Sequence, residues 1–191
     1  MKKILTLALM LMTICGAMAQ EGTKKYEIKS GMLKTSTEVM GQVTETVMYF
    51  DNYGAQQVTK MKMEVPGMGE MEISTIAKDG KTWMVNHTMK QVQEVPDQGM
   101  TELNFTALTE EVIAEYNVKE TGKETILGKE CTIYTCEVVA QGQKASVTSW
   151  VYMGLPLKSV TSVAGMNVTV EAKEFLENIL VLPQTFEVPT F

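Results

Sequence analysis

Glu70-Met71-Glu72-Ile73-Ser74-Thr75-Ile76-Ala77-Lys78-Asp79-Gly80-Lys81-Thr82-Trp83-Met84-Val85-Asn86-His87-Thr88 is the stretch that decides the fold class. Met71, Ile73, Thr75 and Ala77 alternate with Glu70, Glu72 and Ser74, the period of two of a half-buried strand. Asp79-Gly80 then supplies residues that accept the positive φ of a tight hairpin turn. A second strand is expected over 82–88.

The same alternation continues on both sides. Thr59, Met61, Met63 and Val65 alternate with Val58, Lys60, Lys62 and Glu64, giving one apolar and one polar face. Near the C-terminus Met166, Val168, Val170 and Ala172 alternate with Asn167, Thr169, Glu171 and Lys173. Further strands are expected at 24–35, 42–50, 89–95, 118–127, 130–140, 146–153 and 156–163, about eleven in all. One helix is expected over 107–116, with Thr106 or Thr109 as cap and Glu110 and Glu111 in its first turn. Leu108, Val112 and Tyr116 form its apolar face. Pro183 and Pro189 predict an extended tail.

So many antiparallel strands with so little helix predict a mainly β fold, a strongly curved antiparallel sheet or incomplete barrel. Such a sheet must cover its concave face. The helix and the loop from Glu64 to Glu70 are the expected covers, and partial cover leaves an apolar cleft.

The N-terminus is expected to be removed. Met1-Lys2-Lys3 is basic, Ile4 to Cys15 is apolar and uncharged, and Ala17-Met18-Ala19 ends the stretch as a cleavage site. That apolar run is too short for a membrane helix. Residues 1–19 are read as a signal peptide and 20–191 as one domain, delivered to the periplasm or beyond the cell.

Removing Lys2 and Lys3 leaves 15 of the 17 bases against 23 acids, a net charge of −8. An acidic chain is a poor partner for nucleic acid or an anionic membrane surface. Every base is lysine, so the bidentate recognition of phosphate or carboxylate that arginine provides is missing. All three aspartates, Asp51, Asp79 and Asp97, stand in turn-like contexts.

The catalytic inventory is sparse. The lone histidine, His87, reads as a surface or rim residue, and no nucleophile elbow or phosphate loop is present. The expectation is a non-enzyme with no cofactor and no metal. Cys131 and Cys136 are five residues apart on one predicted strand, on alternate sides and about 16 Å apart. That separation is beyond disulfide reach, and two buried thiols are expected.

Methionine is the unusual feature. Of the 16, 12 lie beyond residue 19, seven of them between 61 and 100. Thioethers pack cores, line adaptable apolar pockets and favour Cu(I); the last reading would use Met61, Met63, Met68 and Met71. The candidate ligand-binding set is Met61, Met63, Met71, Trp83, Met84, Trp150 and Tyr152. The partner expected is a lipid or acyl chain, with a cell-envelope protein as the alternative and nucleic acid excluded.

Gly128-Lys129-Glu130-Cys131-Thr132-Ile133-Tyr134, then Ser149-Trp150-Val151-Tyr152-Met153-Gly154-Leu155-Pro156-Leu157-Lys158, then Val170-Glu171-Ala172 and Phe186-Glu187-Val188-Pro189 carry a resemblance. This order resembles the periplasmic LolA/LolB-like lipoprotein-carrier superfamily, in particular its exported DUF4412-like relatives, over about residues 24–190. The resemblance implies a half-open antiparallel barrel whose apolar concave face, lidded by helices, receives acyl chains. Carriers of the strict kind tether the lid through an arginine, which this chain lacks. What carries over is the binding of an apolar ligand rather than lipoprotein trafficking.

Overall fold

A computed structural model describes residues 24–39, 42–65, 67, 69–95, 103–140 and 143–191. The expected signal peptide, Met68 and Asp97 lie outside them.

Among the described residues, eleven strands form one antiparallel sheet. They are β1 (Gly31–Val39), β2 (Gln42–Asp51), β3 (Gln56–Val65), β4 (Gly69–Lys78), β5 (Lys81–Asn86), β6 (Gln91–Val95), β7 (Lys119–Ile126), β8 (Lys129–Ala140), β9 (Gln143–Tyr152), β10 (Leu155–Val163) and β11 (Met166–Glu177). Helix α1 (Glu110–Glu115) lies between β6 and β7. The strand order is β6-β5-β4-β3-β2-β1-β11-β10-β9-β8-β7. Two meanders, β1 to β6 and β7 to β11, are therefore joined edge to edge by β1 against β11. Residues with alternating polarity and tight turns make the hairpins: Asp79 and Gly80 both take positive φ, 53° and 71°, as the β4–β5 turn requires.

The sheet is open and strongly curved. β6 and β7 are the end strands of the sheet among the described residues. One core cluster contains Met48 and Phe50 of β2 together with Cys131 of β8, strands about 24 Å apart in a flat sheet. The sheet curls around Tyr26 and Ile28, which are buried in the same cluster. Across the mouth of this curl Lys129 of β8 reaches Glu177 of β11 at 2.5 Å.

Several boundaries differ from expectation. Residues 24–30 are not strand; β1 begins at Gly31. A side chain at Gly31 would meet the Phe50 ring at 2.6 Å, and the segment before it runs across the sheet instead. Its backbone bonds Tyr53 and Met153, with Tyr26 N–H donating to Tyr53 O and Glu27 N–H to Met153 O. The helix is shorter than expected and is capped by Thr109, whose side chain accepts from Val112 N–H. The described residues of the loop 64–70 cover nothing. They are drawn into the β3–β4 ladder, where Val65 pairs with Gly69, because the alternating pattern persists to the turn. The tail is not simply extended either: Pro183–Phe186 is a 3-10 turn with Phe186 buried.

Candidate ligand-binding face

The ladder decides which side chains share a face. Met61 pairs with Ile73, Met63 with Met71, Met61 with Thr46, and Met84 with Thr75. Directly paired residues point the same way. Met61, Met63, Met71, Ile73 and Met84 therefore form one patch across β3, β4 and β5.

Tracing the pairs onward carries this face across the sheet. Thr44 pairs with Thr37, Thr37 with Val170, Val170 with Ser159, Thr161 with Val147, and Val147 with Cys136. At Cys136 the face meets helix α1. Cys136, Val138 and Val147 pack with Leu103, Val118 and the half-buried Phe105, Leu108, Val112 and Tyr116. The connection from β6 to β7 must pass from one edge of the sheet to the other, and its described part, 103–118, lies on this inner face. Thr106 Oγ1 donates to Lys24 O at 2.6 Å, tying the connection to the N-terminal segment. A Cβ at Gly154 would meet Thr106 Cγ2 at 2.4 Å and Lys25 O at 2.9 Å, so glycine is what lets these segments cross.

The opposite, outer face is closed by the chain's own C-terminal tail. Val58, Ile76 and Val85 are buried there with Val181 and Phe186, and Trp83, Tyr49, Ile179 and Val188 flank them. Ser74, 2% exposed, meets His87 Nε2 at 2.8 Å on this side, and the Phe191 ring stands 6.2 Å from the imidazole. His87, in the turn after β5, is thus half-buried and engaged by Ser74 and Phe191.

The seven candidate residues divide accordingly. Met61, Met63, Met71 and Met84 share the inner face. Met61 is buried and the other three are half-buried, with Asn86 Nδ2 donating to Met71 Sδ at 3.5 Å. Trp83 pairs with Ile76 and lies on the outer face under the tail. Trp150 pairs with Ile133 and, at the register shift in β10, with Lys158, and it packs against the cluster of Tyr26, Leu33, Met48 and Phe50 rather than beside those methionines. Its indole donates to Glu124 at 2.6 Å, and Lys158 Nζ lies 4.7 Å over its ring. Tyr152 stands at the sheet's end beside Phe175 and Lys129. One residue of parity separates Trp83 from Met84, and composition cannot show which side each takes.

The titrating groups add little chemistry. Burial pushes the Cys136 thiol up to about 11 and raises Cys131 as well. Both are free and buried, in separate clusters. The hydrogen bond to Glu177 raises Lys129. Among the described residues no three His, Cys, Asp or Glu gather as a metal site, and no helix is long and apolar enough to cross a membrane.

The half-open antiparallel sheet implied by the resemblance to the LolA/LolB-like carriers is the architecture found. Among solved structures the chain is similar to the MucA/MucB complex of Pseudomonas aeruginosa, at 14% identity and a TM-score of 0.57 over 87% of this chain and 57% of that one. It is also similar to an uncharacterized conserved protein from Thermus thermophilus, at 12% identity and a TM-score of 0.58 over 87% and 89%. A putative outer membrane lipoprotein-sorting protein domain from Vibrio parahaemolyticus aligns at 9% identity and a TM-score of 0.45 over 88% and 94%. The first two likenesses are of fold, and the chain spans little more than half of the MucA/MucB chain it matches. No curated protein matches its sequence. The family model described as a domain of unknown function, DUF4412, matches residues 30–167. That segment holds β1 to the start of β11 and the whole methionine patch, and the chain belongs to the DUF4412 family.

Proposed function

We propose that this is an exported, non-enzymatic binding protein that holds the apolar chain of a lipid against its inner face. The observation that carries the reading is the register that gathers Met61, Met63, Met71 and Met84 beside Ile73 on that face. Unbranched thioether side chains adapt to a flexible acyl chain. Burial supplies the driving force, about 25 cal/mol per Å² before the costs of binding. The connection carrying α1 lies across the same face and is the natural lid. Native mass spectrometry of the gently purified protein tests this. A co-purifying lipid at near-stoichiometric level supports it, and a clean apo mass with no uptake of added lipid sinks it.

A protein segment as occupant is the second reading, supported by the likeness to a chain solved as a MucA/MucB complex. A pull-down from an envelope extract that returns one protein stoichiometrically, with no lipid, favours it.

A further inference from the structure

The ladder sorts charge as well as hydrophobicity. On the outer face stand Lys34 and Glu45, Lys60 and Ser74, Lys62 and Glu72, and Lys158 and Glu171. Away from the sheet end that carries Lys129, Glu130 and Glu177, the inner-face ladder positions of the ten strands from β6 to β8 in sheet order hold no Lys, Asp or Glu among the described residues. The edge strand β7 adds only the exposed Glu120, opposite Tyr134, and Lys123, opposite Thr132 and paired with Glu130. Their polar members are hydroxyls and amides: Thr35 and Thr46 bond each other at 2.6 Å, and Thr37 and Thr161 are buried. Lys25 of the N-terminal segment is buried at the Asp51 end of this face, where Gln57 Oε1 accepts from its ammonium at 3.4 Å.

An ionised group brought onto the methionine patch finds no counter-charge at the ladder positions around it, and burying an unpaired charge is far more costly than burying a hydrogen-bonded ester or hydroxyl. Resting on the lipid reading above, we infer that the face selects uncharged acyl lipids, with an ester or hydroxyl at the threonine rows and the chain on the methionines, and rejects fatty-acid carboxylates. Selectivity then comes from the missing partner and not from the length of the chain.

The test compares 1-monopalmitoylglycerol with palmitate, equal in acyl length, on the full chain at pH 8, by displacement of an uncharged fluorescent acyl probe. The expected result is at least about tenfold tighter binding of the glyceride. Met63→Lys, with Thr75→Lys as a second variant, supplies the missing cation and is expected to narrow or reverse that ratio. Equal or tighter palmitate binding by the unaltered protein overturns the inference and leaves the lipid reading standing. So does an unchanged ratio in both lysine variants when each still unfolds cooperatively. Displacement by neither ligand overturns both.

Discussion

Met63 and Met71 stand directly opposite each other on β3 and β4, and neither takes part in any of the three packed clusters that hold the fold together. Cross-strand partners on one face touch, yet here the pair is half-buried, beside the buried Met61. Methionines that pack no core cluster but share an uncharged face are the residues on which the proposed lipid binding rests.

On the proposed binding, stability and ligand uptake are expected to separate within one strand. Met61→Ala leaves a cavity at a buried site and is expected to cost about 2–5 kcal/mol. Met63→Ala, half-buried, is expected to cost under about 1 kcal/mol while weakening lipid uptake as much as Met61→Ala does. Urea unfolding alongside probe displacement measures both, and a Met63→Ala protein with unaltered uptake would falsify the assignment of this face.

The C-terminal tail is expected to be integral. Phe186 is 1% exposed against Val58, Ile76 and Val85, so Phe186→Ala should cost about 3–5 kcal/mol. Ending the chain at Asn178 should uncover that apolar face, seen as dye binding and self-association on gel filtration. A monomeric truncated protein of undiminished stability would show the tail to be dispensable.

Ser74 and His87 lie on the outer face, away from the methionines. Ser74→Ala removes the 2.8 Å contact to the imidazole and is expected to cost about 1 kcal/mol without changing ligand affinity. A selective loss of binding, at intact stability, would contradict the separation of the two faces.

The buried thiols make alkaline stability predictable. The Cys136 thiol stays protonated in the folded protein up to about 11, against an ordinary value of 9.0. Between those values the unfolded chain releases a proton that the folded chain retains, so stability falls as pH rises through that window. Urea midpoints at pH 8 and pH 10.5 should drop less in Cys136→Ala than in the unaltered protein. Neither thiol should react with a soluble disulfide reagent at pH 8 before unfolding.

Much of this was legible in the chain. Alternation around Met61-Lys62-Met63 and Met71-Glu72-Ile73, with Asp79-Gly80 between strands, is local chemistry, because side-chain direction in a strand depends on parity alone. The same parity already set the thioethers of β3 and β4 apart from their lysines and glutamates. The helix face of Leu108, Val112 and Tyr116 was readable for a like reason, its spacing being set by the helical turn.

Other features depend on pairing between distant strands, and sequence periodicity does not encode that. β1 against β11 joins residues more than a hundred positions apart, and this pairing carries one uncharged face from Met84 to Cys136. The aromatic candidates separated from the methionines because apolarity marks burial but not its place: Trp83 went beneath the tail, and Trp150 and Tyr152 joined the cluster around Tyr26 and Phe50. Tyr26 and Phe186 lie outside any strand, so no alternation signals them. Their burial was decided by the space that a curled sheet leaves on each of its faces.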